Sequence, residues 1–324
     1  MIELRLTAAD LARVRFARSP MQELVTSVKV LFAPAPADLH RRWADTVRPR
    51  TAALRLDGLR ALVGNPRYLP DFLFPPPDRM DIRFDTELER VRATPPELVR
   101  VEVDRVRAGT SLAPALRELY DDPERGLGTL ADQLAAYWRT AVAPVWPRLR
   151  RLLDADLDYR SAQLTSGGVA RMLDNLHPQL RYADDALRIR WSRWNSSSDL
   201  RGTGLLLVPC VFAWPALTVT KDVDQPMLTY APRGIGRVWS GTSGVGTQRM
   251  ARLLGRRRAA LLALLDLPVS TTALAAQLDL TAAAVSEHLS VLRDAGLVTS
   301  RRSGRSVLYQ RTPLATQLLR TAYP

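Results

Sequence analysis

Apolar residues near the end of the chain recur at the spacing of a helix. Val285, Leu289 and Leu292 follow one another at intervals of four and three, which places them on one face. Thr281 offers a hydroxyl that can cap the first turn, and Gly296 stands where a helix commonly ends with a positive φ angle. The pattern predicts an amphipathic helix over 281–294.

A shorter helix and a hairpin flank this one. The segment from about 272 to 277 predicts a helix that buries Leu274 and Leu278, and the letters LDLT then form a tight turn. After Gly296, residues 297–299 and 307–310 alternate as short strands, and RRSGRS between them contains the glycine that a reversal needs. Helix, turn, helix and hairpin in this order predict a winged helix-turn-helix domain over 245–324.

A winged helix-turn-helix usually binds double-stranded DNA. Its second helix fits the major groove, about 12 Å wide in B-DNA, where Ser286 and Ser290 offer short hydrogen-bonding groups. The wing at 299–307 projects guanidinium groups that can reach phosphates or an adjacent minor groove. The arginines expected to hold DNA are Arg301, Arg302 and Arg305 of the wing, and Arg256 and Arg257 at the start of an earlier helix.

The stretch LAAQLDLTAAAVSEHLSVLRDAGLVTSRRSGRSVLYQRT resembles the ArsR/SmtB family of bacterial winged-helix transcriptional repressors. The resemblance implies a dimer that binds a palindromic operator and leaves it when an effector binds. It places base contacts at Thr281, Ala282, Ser286, Glu287 and His288, and wing contacts at Arg301, Arg302 and Arg305. Ala282 stands where relatives often have an amide and Glu287 where they often have a basic residue, which shifts the expected contacts toward the wing and the DNA backbone.

Founding members of that family sense metals, but this chain lacks the ligands. The first helix of the motif reads TTALAAQLDL, without cysteine or histidine, and the whole chain has one cysteine, Cys210, and three scattered histidines. We therefore expect neither a metal nor another cofactor. Cys210 lies in an apolar run and is expected to be a small buried residue. His288 is either a DNA contact or a half-buried residue that bonds the neighbouring helix.

The first 240 residues have a different pattern and predict a second, N-terminal domain over 1–240. Ser19, Pro20 and Gln22 start a helix, and residues 7–173 are predicted to be mostly helical, with a proline-rich loop at 65–79. From about 187, the runs LRIRW, GLLLVPCVF, ALTVTK and MLTYAP predict a small antiparallel sheet. Crowded glycines at 234–246 predict a flexible connection. The fold class is therefore α+β and mostly helical.

All seven tryptophans precede the predicted DNA-binding domain. The simpler explanation is that they pack a large helical core. The alternative is an apolar effector pocket around Trp191, Trp194 and Trp214, between the helices and the sheet.

Charge supports nucleic-acid binding at the C-terminal end. The chain carries a net charge of +13, and residues from 245 onward contain eleven arginines against four acidic residues. No catalytic signature such as HExxH or GxSxG occurs, and GTSGVGTQ lacks the lysine of a phosphate-binding loop, so we expect no enzyme activity. No apolar run is long enough to span a bilayer, and we expect a cytoplasmic protein without a membrane partner.

The sequence thus predicts a DNA-binding transcriptional regulator, namely a homodimeric repressor that recognises an inverted-repeat operator. Helix 281–294 and the arginine-rich wing at 299–307 would bind the double-stranded DNA, and the N-terminal domain would supply dimerisation or the response to a small-molecule effector. The alternative is a winged-helix protein-interaction module without direct DNA binding, because Ala282, Ala283 and Ala284 leave part of the helix bare.

Overall fold

The computed structural model describes residues 1–33, 38–65, 68–190, 196–220, 225–239, 245–265, 269–278, 280–303 and 306–321. These residues are mostly helical with small sheets, which confirms the predicted α+β class. Among them, no helix is long and apolar enough to cross a membrane.

Nine helices make up most of the N-terminal part among the described residues. They are α1 (Ala8–Ala12), α2 (Pro20–Phe32), α3 (Asp38–Thr51), α4 (Asp57–Val63), α5 (Phe84–Arg92), α6 (Pro96–Arg107), α7 (Arg117–Asp121), α8 (Pro123–Tyr137) and α9 (Trp146–Asp174). The predicted start of α2 is confirmed, because the Ser19 hydroxyl accepts a hydrogen bond from the Gln22 amide at 2.9 Å. A π-helical turn, Trp138–Val142, precedes α9, which has Pro147 in its first turn.

The N-terminal strands are β1 (Ile2–Arg5), β2 (Arg15–Phe16), β3 (Leu180–Ala183), β4 (Ala186–Ile189), β5 (Ser196–Asp199), β6 (Leu206–Pro209), β7 (Thr218–Thr220) and β8 (Met227–Tyr230). In the described residues they form two sheets, ordered β3-β4-β1-β5 and β2-β6-β8-β7. Each contains parallel pairs: β1 with β5 in the first, and β2 with β6 and β6 with β8 in the second.

The strands exist where they are predicted, but their arrangement differs from a single antiparallel sheet. The LRIRW strand, β4, lies in a different sheet from β6, β7 and β8, the strands of the other three predicted runs, and it pairs with β1 from the start of the chain. The apolar run of β6 is buried at every position, as is typical of a strand covered on both faces and flanked by parallel neighbours. Pairing between segments about 190 residues apart leaves no mark on local alternation.

The C-terminal part consists of α10 (Val245–Leu254), α11 (Arg256–Leu264), β9 (Val269–Ser270), α12 (Thr271–Leu278), α13 (Ala282–Asp294), β10 (Val298–Ser303), β11 (Ser306–Arg311) and α14 (Pro313–Thr321). The three strands form one sheet in the order β10-β11-β9. Gly246 lies inside α10, so part of the predicted glycine-rich connection is helical. The division into domains at 240–245 stays a prediction.

Two buried apolar clusters lie among the residues that the structure describes. The smaller one joins both N-terminal sheets to the end of α9. The larger one runs from α2 through residues 206–214 and 231–239 into the C-terminal helices. It contains Trp43, Trp214 and Trp239, with Trp138 and Trp146 packed against it, which agrees with the core role expected for the tryptophans. Cys210 is fully buried in the same cluster, as expected.

Candidate nucleic-acid interface

Helices α12 and α13 pack against each other over a shared apolar core. Leu274 and Leu278 of α12 are buried, as are Val285, Leu289 and Leu292 of α13, each on the face that the sequence predicts. The amide of Leu280 donates to the carbonyl of Ala275 at 3.0 Å, which satisfies an end of α12 and turns the chain toward α13. This arrangement confirms the predicted helix-turn-helix.

Both ends of α13 are capped as predicted. The Thr281 hydroxyl accepts a hydrogen bond from the amide of Ala284 at 3.2 Å. Gly296 has a φ angle of 69°, and the Leu297 amide donates to the Leu292 carbonyl at 2.9 Å. Such a left-handed glycine with a long-range amide bond is a common helix stop. The helix is therefore capped at both ends, by Thr281 and by the turn at Gly296.

The outer face of α13 is open to solvent even with the N-terminal part in place. Thr281, Ala282, Ser286 and Glu287 are exposed. Neither Ser286 nor Glu287 makes a hydrogen bond to another part of the described chain, so their polar groups can bind an external partner. Ser290 is half-buried, and its hydroxyl accepts a hydrogen bond from Arg293 Nη2 at 3.3 Å.

His288 differs from its neighbours on the helix. It is half-buried, and its Nε2 atom is enclosed by protein without a hydrogen-bond partner among the described residues. This placement matches the half-buried alternative, although the Nε2 atom makes no hydrogen bond to the neighbouring helix. A DNA contact by His288 stays a prediction.

The hairpin β10–β11 places arginines beside α13. Arg301 pairs in register with Leu308 and Arg302 with Val307, and both arginines are exposed. Arg305 lies outside the described residues, so its contact with DNA stays a prediction.

A third arginine, Arg311, fixes the base of this wing, and the sequence alone does not single it out. Its amide donates to the Leu265 carbonyl at 2.8 Å, and its guanidinium donates to the Leu262 carbonyl at 3.2 Å and to Thr316 at 3.0 Å. Arg311 thereby joins β11 to α11 and α14. In the sequence, Arg311 is visible only as an arginine at the end of an alternating strand. That pattern does not show whether the side chain binds DNA or holds the wing to the neighbouring helices.

Arg256 and Arg257 lie exposed in the first turn of α11, as predicted, with Gly255 as the capping residue. Positive charges are unfavourable at the N-terminus of a helix because the helix dipole is positive there. These two arginines therefore contribute nothing favourable to α11 through the dipole. Both guanidinium groups are exposed, so an external anion such as a phosphate can reach them.

The predicted effector pocket is described only in part. Trp214 is 5% exposed and belongs to the main core, and its indole Nε1 has no partner among the described residues. Trp191 and Trp194 lie outside the described residues, so the pocket stays a prediction. In the described part of the chain, no group of three or more histidine, cysteine, aspartate or glutamate side chains is placed to hold a metal ion.

Two separate parts of the chain match known protein families. Residues 256–301 match a family described as a helix-turn-helix domain, and residues 99–233 match a family of unknown function (DUF5937). No curated protein and no solved structure matches the chain. The C-terminal match covers α11 to β10, the same elements that build the exposed face. The chain thus carries a helix-turn-helix of the kind found in DNA-binding regulators.

Proposed function

We propose that the protein is a homodimeric transcriptional repressor of the ArsR type that binds an inverted-repeat operator. The observation that carries the proposal is that the polar face of α13 and the wing arginines are exposed side by side, uncovered by the N-terminal part. The exposed arginines of α11 and of the wing suit the polyanionic backbone of DNA, which favours this proposal over the alternative of a protein-interaction module.

The residues divide between backbone contacts and base contacts. Arg256, Arg257, Arg301 and Arg302 hold phosphates, which fixes the register of the protein on the duplex. Ser286 and Glu287 face the bases in the major groove, where a glutamate accepts a hydrogen bond from the amino group of cytosine. Because a carboxylate is repelled by phosphates, Glu287 contributes to sequence preference rather than to affinity.

Exposed apolar residues on two contacting helices support a dimer. Leu253 of α10 is 70% exposed and Leu314 of α14 is 53% exposed, and α10 packs against α14. A second copy of the chain would cover both leucines and bring two copies of α13 to successive half-sites of an inverted repeat. The N-terminal part would bind the effector that releases the operator.

Replacement of the wing arginines tests DNA binding. In the variants Arg301→Ala and Arg302→Ala, we expect weaker binding to every duplex, and a slope of log affinity against log salt that is shallower by about 0.9 for each lost phosphate contact. Arg83→Ala is the matched control, because it removes an exposed arginine from the N-terminal part. Equal slopes for the wild type and the wing variants would refute the assignment.

Base reading is tested separately with Glu287→Gln. The probe is a duplex selected from a random pool by repeated rounds of binding to the wild-type protein. We expect this variant to change which duplexes are selected, without the uniform loss expected of the wing variants. If the wild-type protein selects no inverted repeat at physiological salt, the protein-interaction alternative replaces the proposal.

A further inference from the structure

The main apolar core does not stop where the helix-turn-helix begins. Leu264 of α11 and Leu278 of α12 belong to the same buried cluster as Trp43 of α3. Helix α3 also packs against α11, and a short 3₁₀ turn, Ile235–Arg237, packs against both α11 and α12. A close-packed interior changes shape only when contacts break, so the N-terminal part and the helix-turn-helix cannot rotate freely against each other.

Gly236 lies close to both α11 and α12. A Cβ atom at this position would lie 2.5 Å from Cδ2 of Leu278 and 3.2 Å from Cδ1 of Leu264. Gly236 is not among the residues with a positive φ angle, so a side chain here is opposed by close approach and not by backbone conformation, and the leucine methyl groups would have to move to admit one. Ile235 beside it is fully buried. The turn is therefore fitted against α11 and α12.

Three aromatic side chains continue this contact into the N-terminal part; we call His40, Phe212 and Trp239 the aromatic joint. The indole Nε1 of Trp239 donates a hydrogen bond to Nδ1 of His40 at 3.3 Å. The ring centroids of His40 and Phe212 are 5.0 Å apart, and those of Phe212 and Trp239 are 6.1 Å apart. Burial lowers the pKa of His40 to about 3, so the ring is neutral and Nδ1 can accept the bond.

A buried carboxylate holds the aromatic joint from the other side. Glu23 of α2 accepts the amide of Val211 at 2.6 Å and the amide of Phe212 at 3.2 Å. These bonds fix the turn that presents the Phe212 ring to His40. An unbroken line of contacts thus leads from α2, through the aromatic joint, to Gly236 and the helix-turn-helix.

We propose that the aromatic joint couples the N-terminal part to DNA binding by fixing the orientation of the helix-turn-helix. This inference rests on the proposed DNA-binding function. A held orientation lowers the ordering cost of placing two copies of α13 on one operator, so an intact joint strengthens binding. A change in the N-terminal part that shifts Phe212 or His40 releases the turn and weakens binding, which gives the effector a route to α13.

The experiment compares Trp239→Phe with Trp138→Phe in the full chain. The first removes the bond to His40 and keeps an aromatic ring in the joint. The second is the same substitution at a tryptophan stacked on Phe84 inside the N-terminal part. On the selected duplex, we expect Trp239→Phe to weaken binding by about fivefold or more, which is the lower limit of typical coupling between sites. We expect Trp138→Phe to weaken binding by less than this.

Hydrogen exchange provides a second readout, and its first part uses the wild type alone. Coupling is reciprocal, so DNA binding to the wild type should slow amide exchange in α3, which carries His40, while the remote α6 is unchanged. In Trp239→Phe this slowing should be lost. Unchanged exchange in α3 on a duplex that the wild type binds, or equal affinities for the wild type and Trp239→Phe, would overturn the joint. Absence of any DNA binding by the wild type would instead overturn the proposed function.

Discussion

Neutralising the buried carboxylate of Glu23 should remove a pH dependence from the stability of the protein. Glu23 is fully buried; besides the amides of Val211 and Phe212, its carboxylate accepts from the Cys210 thiol at 3.3 Å. Burial raises the pKa of Glu23 from 4.5 to about 7, and the hydrogen bonds to the two amides only partly oppose that shift. The folded protein therefore keeps a proton on Glu23 at pH values where the unfolded chain has lost it.

The sign and size follow from proton linkage. Between pH 4.5 and about pH 7 the folded state binds more protons at Glu23 than the unfolded state does. The stability contributed by this group is complete below pH 4.5 and is lost as the pH rises through 7. Since one pKa unit corresponds to about 1.4 kcal/mol, the loss approaches about 3 kcal/mol in the free energy of unfolding.

The assay is urea unfolding of the wild type and of Glu23→Gln, followed by tryptophan fluorescence, from about pH 5 to about pH 8. Glutamine cannot ionise, and its oxygen can still accept from Val211. We expect the free energy of unfolding of the variant to rise relative to that of the wild type by about 2.5 kcal/mol across this range, since part of the effect already lies below pH 5. Glu124→Gln is the control, because Glu124 also lies in the first turn of a helix, α8, but is exposed. A difference between wild type and Glu23→Gln that is constant with pH would refute the reasoning.

Three further predictions concern packing, backbone and hydrogen bonding, each measured by thermal or urea unfolding. Gly126→Ala should destabilise the protein by about 3 kcal/mol or more, because the new Cβ would lie 2.3 Å from Cα of Leu119. Gly128→Ala, on the same helix, should stabilise it by about 0.5–1 kcal/mol, because a Cβ there meets no atom within 4 Å; equal effects of the two substitutions would contradict this account. Gly296→Ala should cost about 1 kcal/mol through its φ angle of 69° alone, since a Cβ there meets no atom within 4 Å, and an unchanged melting temperature would speak against a strained stop. Tyr230→Phe should lower the free energy of unfolding by about 1 kcal/mol more than Tyr137→Phe does. The Tyr230 hydroxyl donates to the carboxylate of Asp156 at 2.7 Å, whereas the Tyr137 hydroxyl contacts the neutral Ser27 hydroxyl at 3.1 Å; the reverse order of the two losses would refute this reasoning.

The helix-turn-helix could be predicted almost residue by residue because its signals are local. The apolar positions of α13, the cap at Thr281 and the stop at Gly296 act within one or two helical turns of the residues they order. The wing strands are likewise joined by a short reversal. His288 shows the limit of this approach, since helical spacing alone does not say whether a residue at the edge of the apolar face points outward.

The N-terminal strands show why the rest of the fold is harder to predict from the sequence. Alternation in the sequence marks a strand but not its partner, and the partners here include β1 and β2 at the start of the chain. Strands paired across about 190 residues depend on how the intervening helices pack, which no window of sequence contains.

The sequence by itself determined the helix-turn-helix, its exposed polar face and the arginines beside it, because helix periodicity and capping depend on neighbours in the chain. The tertiary structure alone decided the pairing of the sheets and the line of contacts from Glu23 through His40 and Trp239 to Gly236. Glu23 lies 188 residues from Val211 and His40 lies 199 residues from Trp239, and each could equally serve as ordinary core or surface when considered singly. Burial brings them together, and it is burial that gives a carboxylate, an imidazole and a glycine their particular roles here.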